Sequence, residues 1–419
     1  MGTRVSIFYK GERTEVSLPE GWRVLATGEP KPVKPLADAS EELRRALTNP
    51  IGMPGLSQAL AGKKTVCIVV DDVTRVTPCH QLLPELVAQI EAAGIPEANI
   101  SILMAKGTHR WPSEDETKKK VGADIYARFG VTVHDPDKSE DLDLMGTTAR
   151  GTPVWINKRV AQAGFSIGIG TLVGHYFAGY GGGPKIVLPG VSGRDTIVRN
   201  HVMAGDTSAC VGNTATNVVY QDMLEAAKIA RLGMKIDVIL DMDNHITNIV
   251  AGEVAAAHQE GIEQYNAIYG FHAPKPADVT IVSGYPLETE LLQSCKAMIA
   301  AGQVTRKGGT VLIATECVNG AGPGFDALMR QPVSSRTFYG WVAEGKATPT
   351  AGPMVASVKS ILEADKRVMV VTERIAPGDL QAMGFEYASS LAEGVKAVAA
   401  AMREAEVIVL PAGSSINPY

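Results

Sequence analysis

Seven apolar, largely β-branched runs punctuate the chain: TVCIVV from Thr65, ISILMA from Ile100, IDVILDM from Ile236, VTIVSG from Val279, TVLIAT from Thr310, RVMVVT from Arg367 and EVIVLP from Glu406. Their apolarity is continuous rather than alternating, the pattern of strands covered on both faces, as in parallel sheets. Between them lie Ala-rich amphipathic stretches such as QLLPELVAQIEAAG, ending at Gly94, and ASSLAEGVKAVAAAMREAE, ending at Glu406. These predict helices closed by glycine and polar residues. Alternation of the two patterns predicts an α/β fold with mostly parallel sheets. Only the amino terminus differs: MGTRVSIFYKGERTEVSLPEGW reads as two short alternating strands joined by a turn at Lys10, Gly11 and Glu12.

Length adds a division to this pattern. The 419 residues, 45% of them hydrophobic, exceed the roughly 250–300 residues at which a single core stops growing. The break in YGFHAPKPADV, residues 269–279, where two prolines and a histidine interrupt a helix before a new strand, places the boundary between domains 1–270 and 271–419. No internal repeat or low-complexity tract interrupts either part. A net charge of -5 and a pI near 6.0, without long runs of like charge, give no electrostatic reason to expect nucleic acid or an anionic membrane as partner. Lys118, Lys119 and Lys120 follow Glu114, Asp115 and Glu116, so they are expected on a solvated helix face. A short myristoylation-like match at Gly2 and Ser6 is set aside because Val5 and Ile7 read as strand core. The five cysteines, Cys67, Cys79, Cys210, Cys295 and Cys317, show no paired short spacing, which excludes a disulfide framework or a zinc motif. With no signal-peptide or membrane-spanning segment, a cytoplasmic protein is expected.

In open α/β sheets ligands sit beyond the carboxyl ends of the strands, and three stretches occupy such places. In VVDDVTRVTP, residues 69–78, a strand ends in Asp71 and Asp72, and Thr74 and Arg75 precede a helix start. Backbone N–H groups, a hydroxyl and a guanidinium there make a phosphate cradle. The competing reading is a threonine cap with an Asp71–Arg75 ion pair. In ILMAKGTHRW, residues 102–111, the Gly107 and Thr108 turn aims His109 toward a crevice, with the pKa needed for proton exchange near neutrality. The third stretch is GHYFAGYGGGPKIVLPG, residues 174–190. Three glycines allow close backbone approach, but Lys185 is followed by a strand-like IVLPG and neither a Walker loop nor a dinucleotide fingerprint is matched. His175 lies after the apolar run FSIGIG, and His201 lies in VSGRDTIVRNHVMAG, a predicted helix with Ser192 or Asp195 near its start. None of the eight histidines forms an HxH or HExxH pair, so a metal site built by protein ligands alone is weakly supported.

Taken together, DDVTRVTP, GTHR, GHYFAGYGGGPK with VLPG and the downstream RNH, and LLQSCKA from Leu291 resemble the motifs of the nickel-dependent lactate racemase family, along essentially the whole chain. The resemblance implies two α/β domains with the active site in the cleft between them. It also implies a nickel-pincer nucleotide, a pyridinium mononucleotide with two sulfur-containing arms, joined to a lysine through a thioamide. Carried over, Lys185 is the tethering lysine, His201 the protein ligand to nickel, and His109 and His175 the paired proton acceptors and donors. Asp72, Val73, Thr74 and Arg75 match the segment that holds the nucleotide, and Gln293 and Lys296 match second-domain residues that contact cofactor or substrate. Two sulfurs and a carbon fill three positions on the nickel, so one imidazole completes a square-planar site. The implied reaction is inversion at C2 of a 2-hydroxy acid: hydride leaves for the cofactor while one histidine takes the hydroxyl proton, and both return on the other face. Separate cofactor-building proteins are implied as loading partners, and the oligomeric state is left open. One departure is visible: lactate-using members place a tyrosine before the glutamine that matches Gln293, and here Leu292 stands there, which points to a different or larger 2-hydroxy acid. Two alternatives remain: a phosphate-binding α/β transferase using Arg75 and Lys185 as a clamp, and a non-catalytic carrier of the nickel nucleotide.

Overall fold

The computed structural model describes residues 3–419, so Met1, Gly2 and the myristoylation-like match at Gly2 lie outside the described residues. Two six-stranded sheets form the framework. In the first, the strands lie in the order Ile246–Gly252, Met234–Leu240, Phe165–Thr171, Val66–Asp71, Ile100–Ala105 and Thr132–Val133. All neighbours are parallel except the Ile246–Gly252 edge, which runs antiparallel to Met234–Leu240. Both faces are covered, which explains the unbroken apolar runs. Val66, Ile68 and Val70 belong to a core shared with helix Cys79–Ala92, while Cys67 and Val69 point into a core on the opposite face. Alternate residues thus enter different cores.

The second sheet is wholly parallel, in the order Glu386–Ala388, Arg367–Val371, Thr305–Ala314, Ala277–Ser283, Ala405–Leu410 and Trp22–Thr27. Its membership departs from a division of the chain at 270/271 in one respect: Trp22–Thr27, from the first part of the chain, is its edge strand. The Arg4–Tyr9 and Glu12–Ser17 hairpin packs on the same sheet, burying Ile7 and Val16 among Val279, Ile281, Val407 and Val409. Trp22 drives this arrangement; it is 3% exposed, and its indole N–H donates to the Met402 carbonyl at 2.9 Å. The other face of this sheet is covered by helices Leu291–Val304 and Ala351–Glu363. That core is continuous with Tyr176, Phe177 and Leu188 of the first half, so the two halves meet through packed apolar side chains. No helix among the described residues is long and apolar enough to cross a membrane.

Candidate active site

Three adjacent parallel strands deliver the candidate residues from their carboxyl ends: Val66–Asp71 leads to Asp72 and Arg75, Ile100–Ala105 to His109, and Phe165–Thr171 to His175. Parallel order, rather than nearness in sequence, brings these loops side by side. Asp72 is buried, and its carboxylate accepts a 2.6 Å hydrogen bond from Nδ1 of His109. It also accepts from the Thr74 amide at 2.7 Å and the Thr74 hydroxyl. Burial alone would raise the Asp72 pKa, but the His109 and Thr74 bonds and the nearby Arg75 charge outweigh it and hold the carboxyl below its ordinary value. An ionised carboxylate only accepts, so Nδ1 of His109 carries the hydrogen and Nε2 is left as the proton acceptor. Below the loop, the ammonium of buried Lys106 donates to the Gly107 and His109 carbonyls, each at 3.3 Å, and lies 4.6 Å from the Trp111 ring centre.

His175 stands in the short ladder that pairs it with Gly179. Its Nδ1 accepts from the Ala178 amide at 3.3 Å. Burial, then the charges of Lys185, Arg75 and Lys296, push its pKa well below the usual histidine range. Phe177 gathers the remaining groups around one ring. The His175 ring lies 4.6 Å away edge-on, the His201 ring 5.1 Å away and the Lys185 ammonium 5.2 Å away. Lys185 sits in the 3₁₀ turn Gly183–Ile186, and burial, aided by Arg75, lowers its pKa to about 7. His201 comes from helix Arg194–Val202. It is 6% exposed, its Nδ1 has no hydrogen-bond partner of normal geometry, and burial holds its pKa near 3 against partial opposition from the Ile197 carbonyl one turn earlier.

The second half contributes through helix Leu291–Val304. Gln293 and Lys296, three residues apart, share a helix face, and the Lys296 ammonium donates to Gln293 Oε1 at 3.1 Å. Burial and the Arg75 charge lower the Lys296 pKa to about 8. Lys185, His175 and Lys296 therefore all lie within the field of Arg75, which is itself exposed and forms no side-chain hydrogen bond or ion pair among the described residues. Val73 is half-buried against the first sheet's core.

Several local expectations are corrected. The Asp71–Arg75 ion pair does not form: Asp71 pairs with Lys120 at 2.7 Å and accepts from the Thr77 hydroxyl. Thr77 is thus not a cap, and Cys79–Ala92 begins after Pro78 without a side-chain cap. Lys120, expected on a solvated face with its two neighbours, is 8% exposed; only Lys118 pairs at the surface, with Glu114. The half-buried carboxylate of Asp71 made the difference, and nothing local in the sequence announces it. The IVLPG segment after Lys185 is not a strand, because the amide of Gly190 folds back to the Lys185 carbonyl at 3.1 Å. Helix Arg194–Val202 does start beside Ser192 and Asp195, as expected, with Gly193 at the cap position and Asp195 in the first turn. Phe177 and Lys106 were not singled out in the sequence, although the aromatic pair in GHYFAGY was a signal for the first.

Two family models match the chain: "Lactate racemase N-terminal domain" over residues 9–212 and "Lactate racemase C-terminal domain" over 272–417. A curated lactate racemase of Thermoanaerobacterium thermosaccharolyticum is 32% identical over 386 residues, and one of Lactiplantibacillus plantarum is 30% identical over 383, each covering 90% of both chains. The solved lactate racemase apoprotein from Thermoanaerobacterium thermosaccharolyticum superposes with a TM-score of 0.89 at 30% identity over 100% of both chains. A Thermotoga maritima protein shares the fold, with a TM-score of 0.64 at 18% identity, covering 93% of this chain and 100% of its own.

Proposed function

The chain belongs to the lactate racemase family, whose curated members are isomerases, and from that premise we propose that it inverts C2 of a 2-hydroxy acid with a nickel-pincer nucleotide tethered to Lys185. The observation that supports this reading most is the gathering of Lys185, His175 and His201 around Phe177. The residues fit such a group. The Lys185 amine has no hydrogen-bond or ion-pair partner among the described residues and is readily neutral near pH 7, as a nucleophilic amine must be. The buried Nδ1 of His201 has no hydrogen-bond partner of normal geometry, a costly state for a buried polar atom on the ring expected to bind the metal. Lys185 would tether the group and His201 would bind its nickel. Asp72, Val73, Thr74 and Arg75 would hold the nucleotide, with Gln293 and Lys296 facing it from the second half.

When bound, the group supplies a hydride acceptor and donor for C2. The chain supplies the protons and the orientation. Nε2 of His109 takes the hydroxyl proton of one enantiomer, and Asp72 stabilises the imidazolium that results. His175 serves the other enantiomer, since inversion needs a base for each face. Arg75 and Lys296 are the cations available for the substrate carboxylate or the cofactor phosphate. Leu292 beside Gln293 leaves more apolar room than a tyrosine, which favours a 2-hydroxy acid larger than lactate. Loading would depend on separate cofactor-building proteins, and the unpaired cysteines agree with a cytoplasmic setting.

The test is intact mass and metal content of protein made together with the cofactor-building proteins. An adduct on Lys185 with about one nickel per chain, as four-coordinate ligation requires, is the expected result. Unmodified, nickel-free chains from a host that loads a known relative would overturn the reading in favour of a phosphate clamp formed by Arg75 and Lys185. An adduct without turnover of any 2-hydroxy acid would favour a carrier.

A further inference from the structure

Beneath the glycines at 181–183 lies a buried polar assembly that the chemistry above does not use. Lys235 and Asp237, both with side chains 0% exposed, form an ion pair at 2.6 Å, and Lys235 also donates to the Ile236 carbonyl at 2.7 Å. The other carboxylate oxygen of Asp237 accepts from the Gly183 amide at 2.8 Å. Alongside, Nε2 of His258 donates to the Gly181 carbonyl at 3.0 Å, while its Nδ1 accepts from the Tyr220 hydroxyl at 3.0 Å. His258 is also 0% exposed.

Stability does not account for this assembly. Dehydrating two charges costs several kcal/mol, and apolar replacements of buried pairs are often neutral or stabilising. What the assembly does show is a close fit to the loop. A Cβ on Gly182 would stand 2.6 Å from Asp237 Oδ1, and one on Gly183 would stand 2.5 Å from Cγ of His258. Both glycines have positive φ, +74° and +50°, so the backbone lies directly on the carboxylate and the imidazole in a conformation suited to glycine. A charge-assisted bond to one amide and a bond to one carbonyl therefore grip the turn on both sides. The Lys185 amide closes the same turn on the Gly182 carbonyl at 3.1 Å, so the start of the lysine stem is fixed by this grip.

We propose that Asp237 and His258 are positioning residues: by binding the Gly183 amide and the Gly181 carbonyl they clamp the glycine turn and hold the Lys185 amine beside Phe177 for attachment of the cofactor. This rests on the tethering reading above. Lys235 neutralises the Asp237 carboxylate, and Tyr220 fixes the His258 tautomer that donates to Gly181.

Two double variants isolate the clamp. Asp237→Asn with Lys235→Met removes both charges and keeps an acceptor for Gly183. Asp237→Leu with Lys235→Met removes the acceptor as well at similar volume. Two quantities are read in each: amide hydrogen exchange of residues 179–187 in cofactor-free protein, and the fraction of chains carrying an adduct on Lys185 when the cofactor-building proteins are present. The Asn–Met variant is expected to match the unsubstituted protein within twofold in both. The Leu–Met variant, which leaves the Gly183 amide without an acceptor, is expected to exchange at least tenfold faster in the turn and to load at least tenfold less. Gly183→Ala, which pushes the turn off His258 without touching the pair, gives the same losses and serves if the Leu–Met variant does not fold. Slow exchange or undiminished loading in the clamp-breaking variants overturns the proposal. An unsubstituted protein that never acquires an adduct defeats the tethering reading instead, and the exchange data then decide the clamp in the same two directions.

Discussion

The carboxylate of Asp72 and the Nδ1 of His109 are 2.6 Å apart across two neighbouring strand ends. This contact fixes which imidazole nitrogen is available to the substrate. Asp72→Asn presents an amide that can donate to Nδ1, turning Nε2 into the hydrogen-bearing nitrogen. The expected loss in kcat is ~10²–10⁴-fold, the usual worth of a positioned acid–base group. Intact mass gives the fraction loaded on Lys185, and kcat is referred to that fraction, which separates the tautomer effect from any loss of nucleotide binding. Since the two enantiomers of a substrate with a single stereocentre have equal free energy, kcat/KM must fall equally from either side, which serves as an internal check.

Lys185 offers a prediction in the cofactor-free protein. Burial lowers its pKa to about 7 from 10.5, so the neutral amine predominates above about pH 7 rather than above the usual lysine range. Acylation of Lys185 by an amine reagent, followed by peptide mass spectrometry, should rise to a plateau with a midpoint near 7. A free Nα-acetyl-lysine control, with an ordinary lysine pKa of about 10.4, should still be rising at pH 9. A Lys185 midpoint near 10 would show the amine to be solvated.

Leu292 can be tested by restoring a phenol. Its Cβ lies 3.0 Å from where a Cβ on Gly322 would stand, so the 320–324 loop closes one side of this position. In the loaded enzyme, Leu292→Tyr should shift the ratio of kcat/KM for lactate over a longer 2-hydroxy acid by roughly tenfold toward lactate, the scale of a change in an apolar pocket wall. Circular dichroism of the two reactions side by side provides the measurement. An unsubstituted enzyme that already turns over lactate as efficiently as the longer acids would remove the basis for the shift.

His134 sets part of the acid limit of the fold. It is 0% exposed, Nε2 donates to the Ser192 carbonyl at 2.9 Å and Nδ1 accepts from Asn157 at 3.2 Å. Burial lowers its pKa to about 4 from 6.5. Above pH 6.5 the ring is neutral in both folded and unfolded chains and contributes no pH dependence. As pH falls from 6.5 to about 4 only the unfolded chain gains the proton, so the folded state loses about 3 kcal/mol through this residue. His134→Gln should flatten denaturant-derived stability across that window, even if it lowers stability at pH 7.

How much of this was legible beforehand depends on the range of the interaction. The seven apolar runs all became strands, because burial on two faces marks a strand locally. The places of His109 and His175 beyond strand ends were legible because a residue after a strand is a local position in the chain. The Asp71–Lys120 pair and the assembly under the glycines were not legible. Each joins residues from separate elements, and an acidic or basic residue carries no sign of whether its partner is water or a buried counter-charge. Phe177 belongs with these: its place in the motif was visible, but the three groups around it come from different elements.

Trp22–Thr27 completes a sheet whose neighbouring strand, Ala405–Leu410, is made only after every other strand of that sheet. The Trp22 indole reaches a carbonyl 380 positions further on. During synthesis the first sheet can close on the ribosome, since its six strands end at Gly252. The edge strand and its hairpin must meanwhile wait without their sheet, exposing Ile7, Val16 and Trp22. Domains generally fold as units while the chain emerges, but this one holds residues 4–27 in reserve until Ala405–Leu410 has been made. The amino-terminal hairpin is therefore the segment of nascent chain most in need of protection, and a chain halted before residue 405 would carry its apolar face permanently uncovered.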